Sequence, residues 1–364
     1  MLLYQIALTL IPGVGDITAK KLIAYCGSAE AIFKEKKKIL EKIPGIQNKL
    51  IKLFSDVEIF HRAEKEIEFI QKYKIQTLFF LNDDYPERLK QCVDSPILLY
   101  YKGNAPFNVK KVIAIIGTRK ISEYGKENCE NIVRDLSASD ILVVSGLAYG
   151  VDTCAHKSAL DFGLKTIGVL GHGLDKIYPA LNRQLASKIT LNGGLITEFI
   201  TETRPDRENF PKRNRIIAGM ADAILVVEAA KRGGALITAD IANSYNRDVF
   251  ALPGRVNDEY SQGCNNLIKA NKAALVTNAD DILYMMGWEQ KIQKNQAVQK
   301  KLMLTFSPEE DKIIEILRQN ENTGIDEIEV KSEIPISLLA KFLLNLEFDG
   351  IIKSMPGKTY KLIV

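Results

Sequence analysis

Eight consecutive residues, Phe210–Ile217, read Phe-Pro-Lys-Arg-Asn-Arg-Ile-Ile. Lys212, Arg213 and Arg215 fall within four positions, behind a proline and beside an aromatic ring. Cations hold phosphate oxygens, and a ring offers a face on which a nucleobase stacks. The combination suits an anionic polymer carrying unpaired bases better than a small metabolite. A solvated turn ahead of the apolar run Ile216, Ile217, Met220 would use the same residues, so the reading needs support from elsewhere in the chain.

That support is in the segments around it. Apolar runs that read as strands buried on both faces occur at 112–117, 141–146, 166–171, 194–198, 223–228 and 249–253, with a weaker one at 274–277. Helical segments separate them. The pattern predicts an α/β fold: an open, doubly wound, mainly parallel sheet. Ligands of such sheets bind beyond the carboxyl ends of the strands. After the first strand, Gly117 ends the run, Thr118 and Ser122 offer hydroxyls, and Arg119 offers a forked cation. After the second, Ser145 and Gly146 open a glycine-rich turn, with Asp152 expected as the N-cap of the helix that follows and His156 as a scaffold residue. The fourth loop carries Arg204, Arg207 and the cluster already described, and the fifth places Gly233 and Gly234 at a helix start, a plausible phosphate cradle.

Enzyme signatures are missing. There is no G-x-x-x-x-G-K-[ST], no G-x-G-x-x-G after the first strand, and no carboxylate pair set against a nucleophile. Three histidines far apart in sequence make a metal site improbable, and no cofactor is expected. The competing enzyme reading, a nucleotide N-glycosidase or phosphoribohydrolase on the same kind of core, rests on Glu228 with Gly233-Gly234.

The flanks differ in character. Residues 1–70 read as a helical domain in which Ile11-Pro-Gly-Val-Gly and Ile43-Pro-Gly-Ile-Gln each precede a helix, a pair resembling helix-hairpin-helix motifs, the second weaker because Gln47 stands where a second glycine would. A core with its connector is expected over 71–285, a polar linker over 286–304, and a winged helix over 305–364. That last unit carries 7 Lys/Arg against 11 Asp/Glu, so contact with protein, or a spacer role, fits it better than contact with phosphate. Five scattered cysteines without a C-x-x-C argue for a reducing compartment. No apolar run approaches ~20 residues, so a cytoplasmic protein without membrane contact is expected.

Taken together, I-I-G-T-R (115–119), S-G-L-A-Y-G-V-D-T-C-A-H (145–156), Y-P-A-L-N (178–182), F-P-K-R-N-R-I-I-A-G (210–219), G-G-A-L-I-T-A (233–239), A-L-P-G (251–254) and G-C-N-N-L-I (263–268) resemble the DNA processing protein A (DprA, or Smf) family over nearly the whole chain. The resemblance implies a non-enzymatic protein with an extended Rossmann-like core that binds single-stranded DNA, shields it during natural transformation, loads the RecA recombinase onto it, and forms a homodimer through that core. It implies a DNA site including Arg119, Ser145, Gly146, Phe210, Lys212, Arg213 and Arg215, with glycines near Gly117 and Gly234. Two positions depart from the family pattern, which often has Arg where Tyr149 stands and Ser where Gly233 stands.

Overall fold

The computed structural model describes residues 1–289, 306–319, 323–355 and 357–362. The chain divides into two compact units, Met1–Gln290 and Lys291–Val364. The boundary at residue 70 falls inside the first. The linker expected over 286–304 lies mostly outside the described residues, but Trp288 is buried and its carbonyl accepts a hydrogen bond from Lys111 Nζ at 2.9 Å.

A nine-stranded sheet organises the larger unit: β1 (Gln76–Phe79), β2 (Leu98–Gly103), β3 (Val112–Ile116), β4 (Leu142–Ser145), β5 (Thr166–Val169), β6 (Gly193–Thr197), β7 (Ala223–Val226), β8 (Asp248–Ala251) and β9 (Ala274–Leu275). Their spatial order is β1-β2-β6-β5-β4-β3-β7-β8-β9. Pairing is parallel from β6 through β9, and β1 and β2 run antiparallel at one edge. The chain winds outward from β3 to β6, then crosses back to β7. The order therefore reverses beside β3, the place where an open sheet leaves a crevice between two loops.

Side chains alternate across the pleat and so supply two cores. Val112, Ala114 and Ile116 of β3 point into one, with Ile216 and Ile217 of the Asn209–Met220 helix and Ala239 of the Gly234–Ser244 helix. Ile113 and Ile115 point into the other, with Ile132 of the Glu123–Leu136 helix and Ala155 of the Val151–Asp161 helix. The same alternation binds the N-terminal helices to the sheet. On β2, Leu99 and Tyr101 face the first core, whereas Leu98 and Tyr100 face a third one built with Ile6, Leu22 and Ile32.

The smaller unit has helices Pro308–Gln319, Ile325–Ser332 and Ile336–Phe348, and strands β10 (Thr323–Gly324), β11 (Ile352–Met355) and β12 (Thr359–Leu362) in the order β10-β12-β11. No helix among the described residues is long and apolar enough to cross a membrane.

Candidate functional site

The crevice between β3 and β7 holds a cavity of about 250 Å3. Its walls are the residues after β3 (Gly117, Thr118, Arg119), those after β7 (Arg232, Gly233, Gly234), and Phe210 with Arg213 from the Asn209–Met220 helix. Backbone bonds fix the two loops to one another: Thr118 N–H donates to Glu228 O at 2.7 Å and Val151 N–H to Thr118 O at 3.1 Å. Ser122 caps the Glu123–Leu136 helix, its Oγ accepting from Gly125 N–H at 3.0 Å, while its own N–H and hydroxyl both donate to the Glu228 carboxylate. Glu228 is thus a buried clasp between the loops after β3 and β7.

Two guanidinium groups approach the Phe210 ring, Arg119 at 5.2 Å and Arg213 at 5.9 Å from its centroid. Tyr178 adds a second ring 6.2 Å away, tilted by 39°. Arg119, Tyr178 and Arg232 are exposed, and Phe210 is half-buried. Tyr149, where the family often has Arg, is exposed beside the same aromatic wall. Neighbouring rings, exposed forked cations and Gly-rich loop ends therefore line two adjoining cavities that share Arg119, Phe210 and Arg213. Such a surface can hold phosphate and take a flat base against a ring.

The sequence cluster at 212–215 does not stay together in space. The Asn209–Met220 helix begins before it, so Pro211 sits in the first turn, where its missing N–H costs nothing. Along a helix, successive side chains point about 100° apart, and residues three or four apart share a face. Phe210 and Arg213 consequently face the crevice. Lys212 and Arg215 face a different cavity, beside Asp16, Asp94 and Glu198. Arg215 is held there by Asp16 at 3.0 Å, by Glu198 and by Asp94 O, so its charge is neutralised internally. Lys212 is exposed, and Arg207 lies exposed just before the helix.

Arg213 is buried, and its Nη1 donates to Val169 O at 2.9 Å. Burial lowers its pKa to about 10. It shares the space over Gly146 with the carboxylate of Asp152, and a Cβ at Gly146 would collide with the guanidinium. Gly146 is therefore needed for close approach. Asp152 is not the expected N-cap: Gly150, at φ 73°, takes that place, and Asp152 Oδ2 accepts from Ala148 N–H at 3.2 Å. Burial raises the Asp152 pKa and Arg213 pulls it back. Ser145 is fully buried and donates to Ile115 O at 2.6 Å, a structural bond beneath the crevice. Arg232, which lines it, and Tyr178, which lines the adjoining cavity, were not singled out from the sequence. Arg232 precedes the glycine pair and Tyr178 precedes a proline, so both carried a weak positional signal.

His156 is buried against Thr166 Oγ1, 2.7 Å from Nδ1, and burial lowers its pKa to about 3. A base with a depressed folded pKa contributes stability above its unfolded value near 6.5, and that contribution fades as pH falls toward 3, by about 1.4 kcal/mol per unit. Glu198 works in the opposite sense. Burial raises it to about 7, so its contribution is full below about 4.5 and fades as pH rises to 7. Between pH 7 and 4.5 the two slopes oppose one another. His156→Gln is expected to make unfolding free energy rise as pH falls through this window, and Glu198→Gln to make it fall more steeply. Urea titrations at half-unit pH steps read both, and parallel curves for the three proteins would refute the assignment.

Residues 76–287 match the family described as DNA recombination-mediator protein A. The chain belongs to that family. Protein Smf of Synechocystis sp. is 34% identical over 98% of this chain and 98% of its own length. The DNA processing protein DprA of Streptococcus pneumoniae is 36% identical, covering 68% of this chain and 90% of that protein. The X-ray structure of S. pneumoniae DprA superposes with a TM-score of 0.67 at 35% identity, covering 78% of this chain and 98% of that one. A DprA structure from Helicobacter pylori, described for its single-stranded DNA binding mode, gives a TM-score of 0.54 at 29% identity over 59% of this chain and 96% of that one. The family match spans β1 to the end of the Ala279–Met285 helix, and so contains every wall of the crevice.

Proposed function

We propose that this chain is a single-stranded DNA-binding recombination mediator that works without catalysis. The observation that carries the reading is the Phe210 ring with Arg119 at 5.2 Å and Arg213 at 5.9 Å from its centroid, all lining one cavity with the Gly-rich loop ends at the switch point of the sheet. Arg119, Arg232 and the amides of Gly233–Gly234 hold phosphates, and Phe210 with Tyr178 receives bases. Contacts of this kind read backbone and ring faces, so sequence preference is weak. Kinship with the DprA proteins supports extending the role to protection of incoming DNA and delivery of RecA, in the cytoplasm, by a homodimer. Within this reading, residues 1–70 form a helix-hairpin-helix-like section. The smaller unit, with its three helices and strand pair β11–β12, is a winged helix whose acidic balance suits a protein partner.

The test is a titration of mixed-sequence and oligothymidine single strands at two ionic strengths, followed by anisotropy. Affinity is expected to fall with salt, with a log–log slope of about −0.7 per phosphate held, and to differ little between the two sequences. Addition to RecA on single strands is expected to speed filament formation. Release of free base from nucleoside monophosphates would replace this reading with the N-glycosidase or phosphoribohydrolase alternative.

A further inference from the structure

The N-terminal section carries a strongly charged surface outside the crevice. Residues 34–52 contain seven lysines against two glutamates. Lys36, Lys37, Lys38, Lys42 and Lys52 are all exposed, and among the described residues none of them forms an ion pair. Four of the five fall within residues 36–42, where Glu41 is the one acidic residue, so this exposed stretch keeps a local excess of positive charge that points to a polyanionic partner.

The backbone that presents them is rigid and repeated. Ile11-Pro12-Gly13-Val14 and Ile43-Pro44-Gly45-Ile46 form the same turn, each closed by a 3.1 Å hydrogen bond from the fourth residue's N–H to the first residue's carbonyl. Their second central residues, Gly13 and Gly45, have φ of 87° and 86°. Each turn meets the other hairpin: Lys21 Nζ donates to Pro44 O, and Leu50 Cδ1 lies 3.7 Å from where a Cβ on Gly13 would stand. Two like hairpins are thereby locked side by side. The charge surrounds the second.

What this surface lacks identifies its partner. No aromatic residue occurs between Phe33 and Phe54. Those two rings, with Tyr4 and Phe60, pack against one another at 5.2–6.0 Å. Single-strand grips need rings to stack unpaired bases, as the crevice has. A duplex needs none, because its bases already stack, and it presents about one charge per 1.7 Å of axis. An anionic bilayer would call for apolar side chains to insert, yet Ile39 is the one large apolar residue of this stretch that is well exposed. We propose that the lysine surface of residues 34–52 grips the backbone of double-stranded DNA. This chain then carries two separate nucleic-acid surfaces on one compact unit, one for a duplex and one for an unpaired strand.

The proposal stands independently of the crevice, and its test separates the two. The full chain and its Lys37→Ala/Lys38→Ala/Lys42→Ala variant are titrated against a blunt 20-base-pair duplex and a mixed-sequence single strand over a salt series. Replacing three exposed, unpartnered lysines leaves folding intact, as circular dichroism should show. For the duplex, the variant is expected to lose at least 10-fold in affinity near 50 mM salt, with a log–log slope shallower by about 2–3. Single-strand affinity is expected to stay within two-fold, and the Lys→Arg triple variant to behave as the parent. An unchanged duplex slope overturns the proposal. So does an equal loss on both DNAs, which would join the lysines to the single-strand path, or a loss confined to phosphatidylserine vesicles. If the parent binds no single strand while the duplex result holds, the crevice reading falls and this one stands.

Discussion

Phe210→Ala is expected to weaken single-strand binding by about 1–3 kcal/mol, roughly 5- to 150-fold, without changing its salt dependence. The ring carries no charge, so the phosphates held are the same before and after. Arg119→Ala is expected to lose both affinity and slope, the slope by about 0.7, because one phosphate contact goes with it. The contrast is the discriminating feature. Arg119 lies 5.2 Å from the ring centroid, so the two residues are neighbours, and their double variant should lose less than the sum of the single losses. Lys212→Ala should be additive with both, because Lys212 projects from the other side of its helix into the cavity beside Asp16 and Glu198. If Phe210→Ala binds single strands as the parent does, the ring only fills the space over Gly171, where an added Cβ would meet it at 3.1 Å, and the stacking role is refuted. Thermal unfolding of each variant separates lost binding from lost folding.

The sheet was legible because its signal is one-dimensional. A strand buried on both faces is a short apolar run, and Val112–Ile116 or Ala223–Val226 cannot be written in polar residues without exposing them. The helices of the smaller unit were legible for a related reason: Pro308 and Pro335 mark starts, and the apolar spacing does the rest. The strand β1 was harder, since Gln76–Phe79 is four residues long and half exposed. The candidate site was legible as a set of loops but not as a set of side chains. Three cations in four positions look like a cluster when read along the chain, and would be one in an extended segment. On a helix they diverge, so Arg213 turns inward under Gly146, Arg215 is neutralised by Asp16 and Glu198, and Lys212 points away from the crevice. Asp152 escaped for a similar reason. Its position two residues after Gly150 suits a helix start, but its partner Arg213 lies 61 residues along the chain, and only the fold brings them together.

Arg213→Met is expected to destabilise the larger unit by about 3 kcal/mol, near the lower end for removing one member of a buried, charge-compensated set. Two losses combine. Val169 O loses a 2.9 Å hydrogen bond, and Asp152 loses the cation that pulls its raised pKa back. Met keeps much of the aliphatic volume, so the change reports charge more than cavity. The pH dependence separates the electrostatic part. Without Arg213, the Asp152 pKa rises further above its unfolded value, and a carboxyl with a raised folded pKa contributes stability at low pH that is lost as pH rises. The deficit of Arg213→Met should therefore be larger at pH 8 than at pH 5. Adding Asp152→Asn should remove that pH difference and recover part of the stability, because no buried carboxylate is left to ionise. A deficit equal at both pH values, unrelieved by Asp152→Asn, would mean that Arg213 acts through packing and its bond to Val169 alone. The same variant probes the site from beneath. Arg213 lies 5.9 Å from the centroid of the Phe210 ring, so a folded Arg213→Met protein that has lost single-strand affinity would show that the ring needs this buried cation beside it to receive a base.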